Sequence, residues 1–161
     1  MTYADFLAGK RQSHADGGFT PTYRPEYLYP FQRSLLDWSL SVGRSAIFAD
    51  CGLGKTPIQL AWAQNVAERT NRPVLIVAPL AVSAQTVREA KKFDLPIVRS
   101  QDGHVPTDAR IVVTNYERLK HFDPLAFGGV VCDESSILKN FDGTTKALIT
   151  EFMRQLSYRL L

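Results

Sequence analysis

Four consecutive aliphatic residues, Val74-Leu75-Ile76-Val77, are far too few to cross a membrane and leave no polar position for either face of a strand. A strand of this kind must be covered on both sides, the condition of a strand inside a parallel sheet. Short apolar runs recur at Ser45 to Ala49, Ile97 to Arg99, Arg110 to Thr114, Gly129 to Asp133 and Tyr158 to Leu161. Between them, apolar residues recur at helical spacing. Phe31, Leu35, Trp38 and Val42 form one stripe closed by Gly43, and Ile58, Trp62 and Val66 another in a helix from Lys55 to Glu68. Further helices are predicted near Ser83 to Lys92, briefly near Tyr116 to Lys120, and from Gly143 to Leu156 with Ile149, Phe152, Met153 and Leu156 on one face. The alternation predicts an α/β fold, a mostly parallel sheet with helices on both faces.

At 161 residues and 45% apolar content the chain can bury one core. Residues 1–27 hold Gly17-Gly18, Pro21 and Pro25 and little periodicity, so they read as an irregular leader with one helical turn near Ala4 to Ala8; residues 28–161 read as the domain. No segment has the length of a membrane span and no apolar run follows a basic N-terminal stretch, so a soluble, intracellular (cytoplasmic) protein is expected. Cys51 and Cys132 have neither metal-ligand nor disulfide spacing, in keeping with a reducing compartment. A net charge of +3 would not by itself suggest nucleic acid, and Lys10-Arg11 and Lys91-Lys92 read as solvated surface.

Chemistry enters at Ala49-Asp50-Cys51-Gly52-Leu53-Gly54-Lys55-Thr56, after an expected strand and opening an expected helix. Glycines there let successive backbone N–H groups turn inward toward phosphate oxygens, and the helix N-terminus adds its positive dipole end. Gly52, Leu53, Gly54, Lys55 and Thr56 are the expected phosphate-binding residues, with Lys55 reaching the β- and γ-phosphates and the Thr56 hydroxyl ligating Mg²⁺. Ala49 stands where the common pattern has its first glycine. Pro57 fits the first helical turn, where its missing N–H has no intrahelical acceptor to lose.

Such a loop needs a carboxylate for the metal and a base to steer water. Gly129-Val130-Val131-Cys132-Asp133-Glu134 supplies both at the end of an apolar strand, 78 positions after Lys55. Asp133 is the expected Mg²⁺ ligand, and Glu134 the group that orients or deprotonates water. An adjacent acidic pair favours NTP hydrolysis over transfer to a substrate hydroxyl. Cys51 in the loop and Cys132 before Asp133 should then be near neighbours.

Taken together these segments resemble the first RecA-like domain of superfamily-two helicases, in particular the Swi/Snf-like branch and its phage-encoded relatives. The segment ADCGLGKT is similar to motif I, and Leu28-Tyr29-Pro30-Phe31-Gln32 to the L-x-P-[YF]-Q element, so the resemblance makes Gln32 the residue that reads adenine and selects ATP. Val77-Ala78-Pro79-Leu80 looks like motif Ia and Thr114-Asn115-Tyr116-Glu117 like the T-x-Y-E of motif Ib; by resemblance Pro79, Leu80, Thr114 and Asn115 line a nucleic-acid path. Contacts there would hold phosphates, so DNA binding is expected to be largely sequence-independent. Motif II reads Asp133-Glu134-Ser135-Ser136 in place of D-E-A-H, followed by Leu138-Lys139-Asn140 as in the L-K-N of the Swi/Snf branch. The changed histidine position leaves coupling to the nucleic-acid side open.

The resemblance implies ATP and Mg²⁺ as cofactors and a bacterial or phage-infected host cell as the setting. It stops at Tyr158-Arg159-Leu160-Leu161, which is similar to the strand leading into motif III. The expectation is a domain incomplete at its C-terminal end, an ATPase only when a second RecA-like domain or chain supplies arginines to the γ-phosphate. The alternative is a non-hydrolysing nucleotide-binding or interaction module.

Overall fold

A computed structural model describes residues 17–50, 52–134 and 139–161. The helical turn expected near Ala4 to Ala8, Cys51, and Ser135, Ser136 and Leu138 lie outside the described residues. The elements run α1 (Pro30–Val42), β1 (Arg44–Ser45), α2 (Lys55–Thr70), β2 (Val74–Ala78), α3 (Leu80–Lys92), β3 (Ile97–Arg99), β4 (Ile111–Asn115), 3₁₀ turns at Tyr116–His121 and Pro124–Ala126, β5 (Gly129–Cys132), α4 (Gly143–Arg154) and β6 (Tyr158–Leu160).

All six strands form one sheet in the order β1-β6-β5-β2-β4-β3, and every pairing is parallel. The aliphatic run that demanded cover on both faces receives it. Val74 and Ile76 of β2 join Ile111, Val113, Val131 and Leu160 beneath α1, α2 and α3, while Leu75 and Val77 join Val112, Val130 and Cys132 beneath α4 and the Tyr116–His121 turn. Strand period two therefore builds two cores, one on each side of the sheet.

Two expectations change. The strand predicted from Ser45 to Ala49 is confined to Arg44–Ser45. One more ladder bond, Ile47 N–H to the Leu161 carbonyl at 2.7 Å, continues the pairing with β6. The backbone then leaves the sheet as the glycine loop begins, and Phe48 is 93% exposed. On α1 the buried stripe is Gln32, Leu36, Ser39 and Leu40 rather than Phe31, Leu35, Trp38 and Val42; Phe31 and Trp38 are 45% and 43% exposed. Hydropathy spacing fits either stripe, and the packing of α1 against α2 selects the one that brings Gln32 to the glycine loop.

Residues 17–27 have no regular structure but are sewn to α2. The fully buried Asn65 accepts the Thr22 and Tyr23 N–H groups on Oδ1, both at 2.9 Å, and donates through Nδ2 to the Tyr23 and Ala61 carbonyls, both at 2.8 Å. Among the described residues, no helix is long and apolar enough to cross a membrane.

Candidate nucleotide site

In a parallel sheet the loops that follow the strands gather at the carboxyl ends, where ligands bind, and the register decides which of them meet. Val77 of β2 pairs with Thr114 of β4 on one side and Cys132 of β5 on the other, so Pro79, Asn115 and Asp133 leave the sheet at nearly one level. Insertion of β6 between β1 and β5 sets the glycine loop one strand away from Asp133. A cavity of about 490 Å³ spans this end of β1, β6 and β5, lined by Ile47 to Asp50, Lys55, Ile58, Gln59, Cys132 to Glu134, Lys139 and Leu160-Leu161.

Within the loop, Gly52 (φ 85°) and Gly54 (φ 69°) are left-handed, the conformation glycine adopts without steric cost. A Cβ on Gly54 would also lie 2.5 Å from the Gln32 Nε2. Ala49 is not among the described non-glycine residues with positive φ, so its place in the loop makes no demand for glycine. The Lys55 ammonium folds back across the loop and donates to the Ala49 carbonyl at 3.1 Å. Thr56 lies half-buried in the first turn of α2.

Gln32 is 3% exposed and fully engaged: Nε2 donates to the Leu53 and Gly54 carbonyls at 3.0 and 3.2 Å, and Oε1 accepts the Tyr29 N–H at 2.9 Å. It braces the glycine loop from outside.

On the acidic side, Asp133 is 6% exposed, and its backbone is held by the Val77 carbonyl at 2.8 Å and by the buried Tyr116 hydroxyl, which donates to the Asp133 carbonyl at 2.7 Å. Burial, the largest cause, with the neighbouring Cys132 and Asp133, drives the Tyr116 hydroxyl well above its ordinary range. The same desolvation pushes the Cys132 thiol up to about 12. Glu134 is exposed and left-handed (φ 54°), a conformation that costs a non-glycine residue about 1 kcal/mol and that concentrates at functional sites.

Lys55, Asp133 and Glu134 thus line one cavity, with Thr56 beside Lys55 at the start of α2. These residues suit a triphosphate with a divalent cation: a curled glycine loop, an ammonium, a hydroxyl, and a nearly buried carboxylate facing them. Of the four residues predicted for a nucleic-acid path, Leu80 is 57% exposed and Pro79 half-buried, whereas Thr114 and Asn115 are 1% and 5% exposed. The Asn115 amide is engaged by the Glu117 carboxylate.

Sequence reasoning passes over Gln59, which donates to the Asp133 Oδ1 at 2.8 Å. The available signal was its place one helical turn after Lys55. It also passes over the Tyr116 hydroxyl, which ties the T-x-Y-E segment to Asp133, and over Lys139 as a cavity residue.

Two solved structures of the Sulfolobus solfataricus SWI2/SNF2 ATPase core, one in complex with dsDNA, superpose on 88% of this chain with TM-scores of 0.69 and 0.71 at 23% and 22% identity. The UvsW helicase of bacteriophage T4 superposes on 99% of it, with a TM-score of 0.69 at 17% identity. The chain has their RecA-like fold. The RecA-like architecture that the motif resemblance implies is therefore present. Protein p41 of Acyrthosiphon pisum secondary endosymbiont phage 1 is 30% identical over 131 residues, covering 70% of this chain. This RecA-like chain spans 28% of that phage protein, 32% of the archaeal cores and 59% of the UvsW chain. No family model matches it.

Proposed function

We propose that this chain is the ATP-binding RecA-like domain of a DNA helicase or translocase that hydrolyses ATP when a second RecA-like domain completes the site. The observation that carries the reading is the convergence of Lys55, Asp133 and Glu134 on one cavity from segments 78 positions apart. Gly52, Leu53 and Gly54 present the loop backbone to phosphate, and Lys55 exchanges the Ala49 carbonyl for phosphate oxygens. Thr56 and Asp133 hold Mg²⁺, whose chemistry is to neutralise charge on the phosphates. Glu134 orients the attacking water. Gln32 serves adenine selection, as the resemblance implies, alongside its bracing of the loop.

Among the described residues no arginine lines the cavity. An arginine from another domain or chain, of the kind worth roughly 10³ to 10⁵ in rate, would convert binding into turnover. The archaeal core in complex with dsDNA supports DNA as the partner. The path along Pro79, Leu80, Thr114 and Asn115 is the one the motif resemblance implies, with Leu80 its most exposed residue and contacts that are independent of base sequence.

The test is Mg·ATP binding and ATP turnover by the purified chain, with and without duplex and single-stranded DNA, beside Lys55→Ala. Binding that Lys55→Ala abolishes, with turnover appearing only when a second RecA-like domain is supplied, is the expected result. Turnover that no second domain restores would favour a non-hydrolysing module. Absence of nucleotide binding would overturn the reading.

A further inference from the structure

We propose that Gln59 is a positioning residue of this site: it aims the Asp133 carboxylate and offers its own carbonyl oxygen to the hydration shell of the cation. The inference rests on the ATP·Mg²⁺ reading above and deepens it by naming a residue that none of the recognised motif segments contains.

Three observations converge. Gln59 is 7% exposed and lines the same cavity as Lys55 and Asp133. Its contact with the Asp133 Oδ1, at 2.8 Å, is made through Nε2, the donor end of the amide. Oε1 is thereby turned away, and among the described residues this buried oxygen has no hydrogen-bond partner. A buried acceptor without a donor is costly, and the donor that fits a hydrated cation site is a metal-bound water.

The second consequence falls on Asp133. Among the described residues two protein donors reach its carboxylate, the Gln59 amide at 2.8 Å and the Glu134 N–H at 3.0 Å, and both converge on Oδ1. Oδ2 carries no hydrogen bond among the described residues, so the two donors pin the carboxylate by one oxygen and leave the other for the cation. Groups that hold a ligating carboxylate in this way typically cost about 10- to 100-fold in metal affinity when removed.

The experiment uses the whole chain and a fluorescent N-methylanthraniloyl-ATP probe, titrated in excess Mg²⁺ and in EDTA, for wild type, Gln59→Leu, Asp133→Asn and the double variant. Thermal melts check folding, and Gln59→Met serves as a second variant closer in length. The expected result is a loss of about tenfold in the Mg²⁺ titration for Gln59→Leu, with EDTA affinity within about twofold of wild type. In the Asp133→Asn background the same substitution should cost clearly less in the Mg²⁺ titration than it does in wild type, because part of its effect runs through that carboxylate, and an equal cost in both backgrounds would overturn the positioning role. Equal losses with and without Mg²⁺, or no loss in either, would overturn the inference and leave the ATP reading standing. Wild-type binding indifferent to Mg²⁺ would do the same, whereas no wild-type binding in either buffer would remove both.

Discussion

Replacing Gln32 by Glu separates two roles that the same residue can hold, reader of the base and brace of the phosphate loop. The substitution keeps the shape and the acceptor for the Tyr29 N–H at 2.9 Å, but removes the donor that holds the Leu53 and Gly54 carbonyls at 3.0 and 3.2 Å. Two hydrogen bonds at about 1 kcal/mol each give about 2 kcal/mol of loop ordering that ligand binding must then supply, or roughly 30-fold in affinity. The informative ligand is inorganic tripolyphosphate, which has the phosphates of ATP and no base. Calorimetric titration of Mg·ATP and Mg·tripolyphosphate should show both weakened by a similar factor. If ATP weakens while tripolyphosphate binding is unchanged, the bracing argument is wrong and Gln32 acts through the base alone. If neither changes, the loop does not depend on Gln32 at all.

Asn65→Ala removes one amide that serves four backbone groups and should lower stability by about 3 kcal/mol, read as a shifted urea midpoint with unchanged slope. A shift below about 1 kcal/mol would mean that residues 22 and 23 are not held by α2 in solution. Leu36→Ala, at a fully buried position, should cost about 2 to 5 kcal/mol, whereas Trp38→Ala, at a position 43% exposed, should cost under about 1 kcal/mol. The reverse order in thermal melts would return α1 to the stripe predicted from hydropathy. Alkaline stability gives a fourth check. The unfolded Cys132 thiol loses its proton near the ordinary value of 9.0, while the folded thiol keeps it to about 12. Its contribution is therefore complete below pH 9 and declines as pH rises toward 12. Tyr116 and Tyr27, also raised by burial, extend that decline. Cys132→Ala should flatten the fall in melting temperature between pH 8.5 and about 11, and an unchanged profile would refute the assignment.

Much of this protein was determined by sequence alone, wherever the decisive physics is local. An uninterrupted aliphatic run needs cover on both faces whatever surrounds it, and Val74–Ala78 is accordingly a central strand with every residue buried. A G-x-G-K-T segment has few backbone conformations open to it, and Gly52 and Gly54 adopt the left-handed ones. Asp133 and Glu134 could be picked out because a phosphate loop needs a carboxylate for the metal, and this acidic pair ends an apolar strand downstream of it.

Tertiary structure alone decided what depends on pairings distant in the chain. No local signal said that β6 would slide between β1 and β5, yet that insertion spaces Asp133 from the glycine loop. The stripe of α1 that faces inward was ambiguous in hydropathy because Gln32 and Ser39 look like surface residues; their burial is made tolerable by partners, the loop carbonyls for Gln32 and the Leu36 carbonyl for Ser39. Asn65 and Gln59 are likewise polar residues in a helix that is buried around nearly its whole circumference. A sequence presents them as interruptions of an apolar pattern, because a hydrogen bond to a group 42 or 74 positions away leaves no trace in the residues nearby.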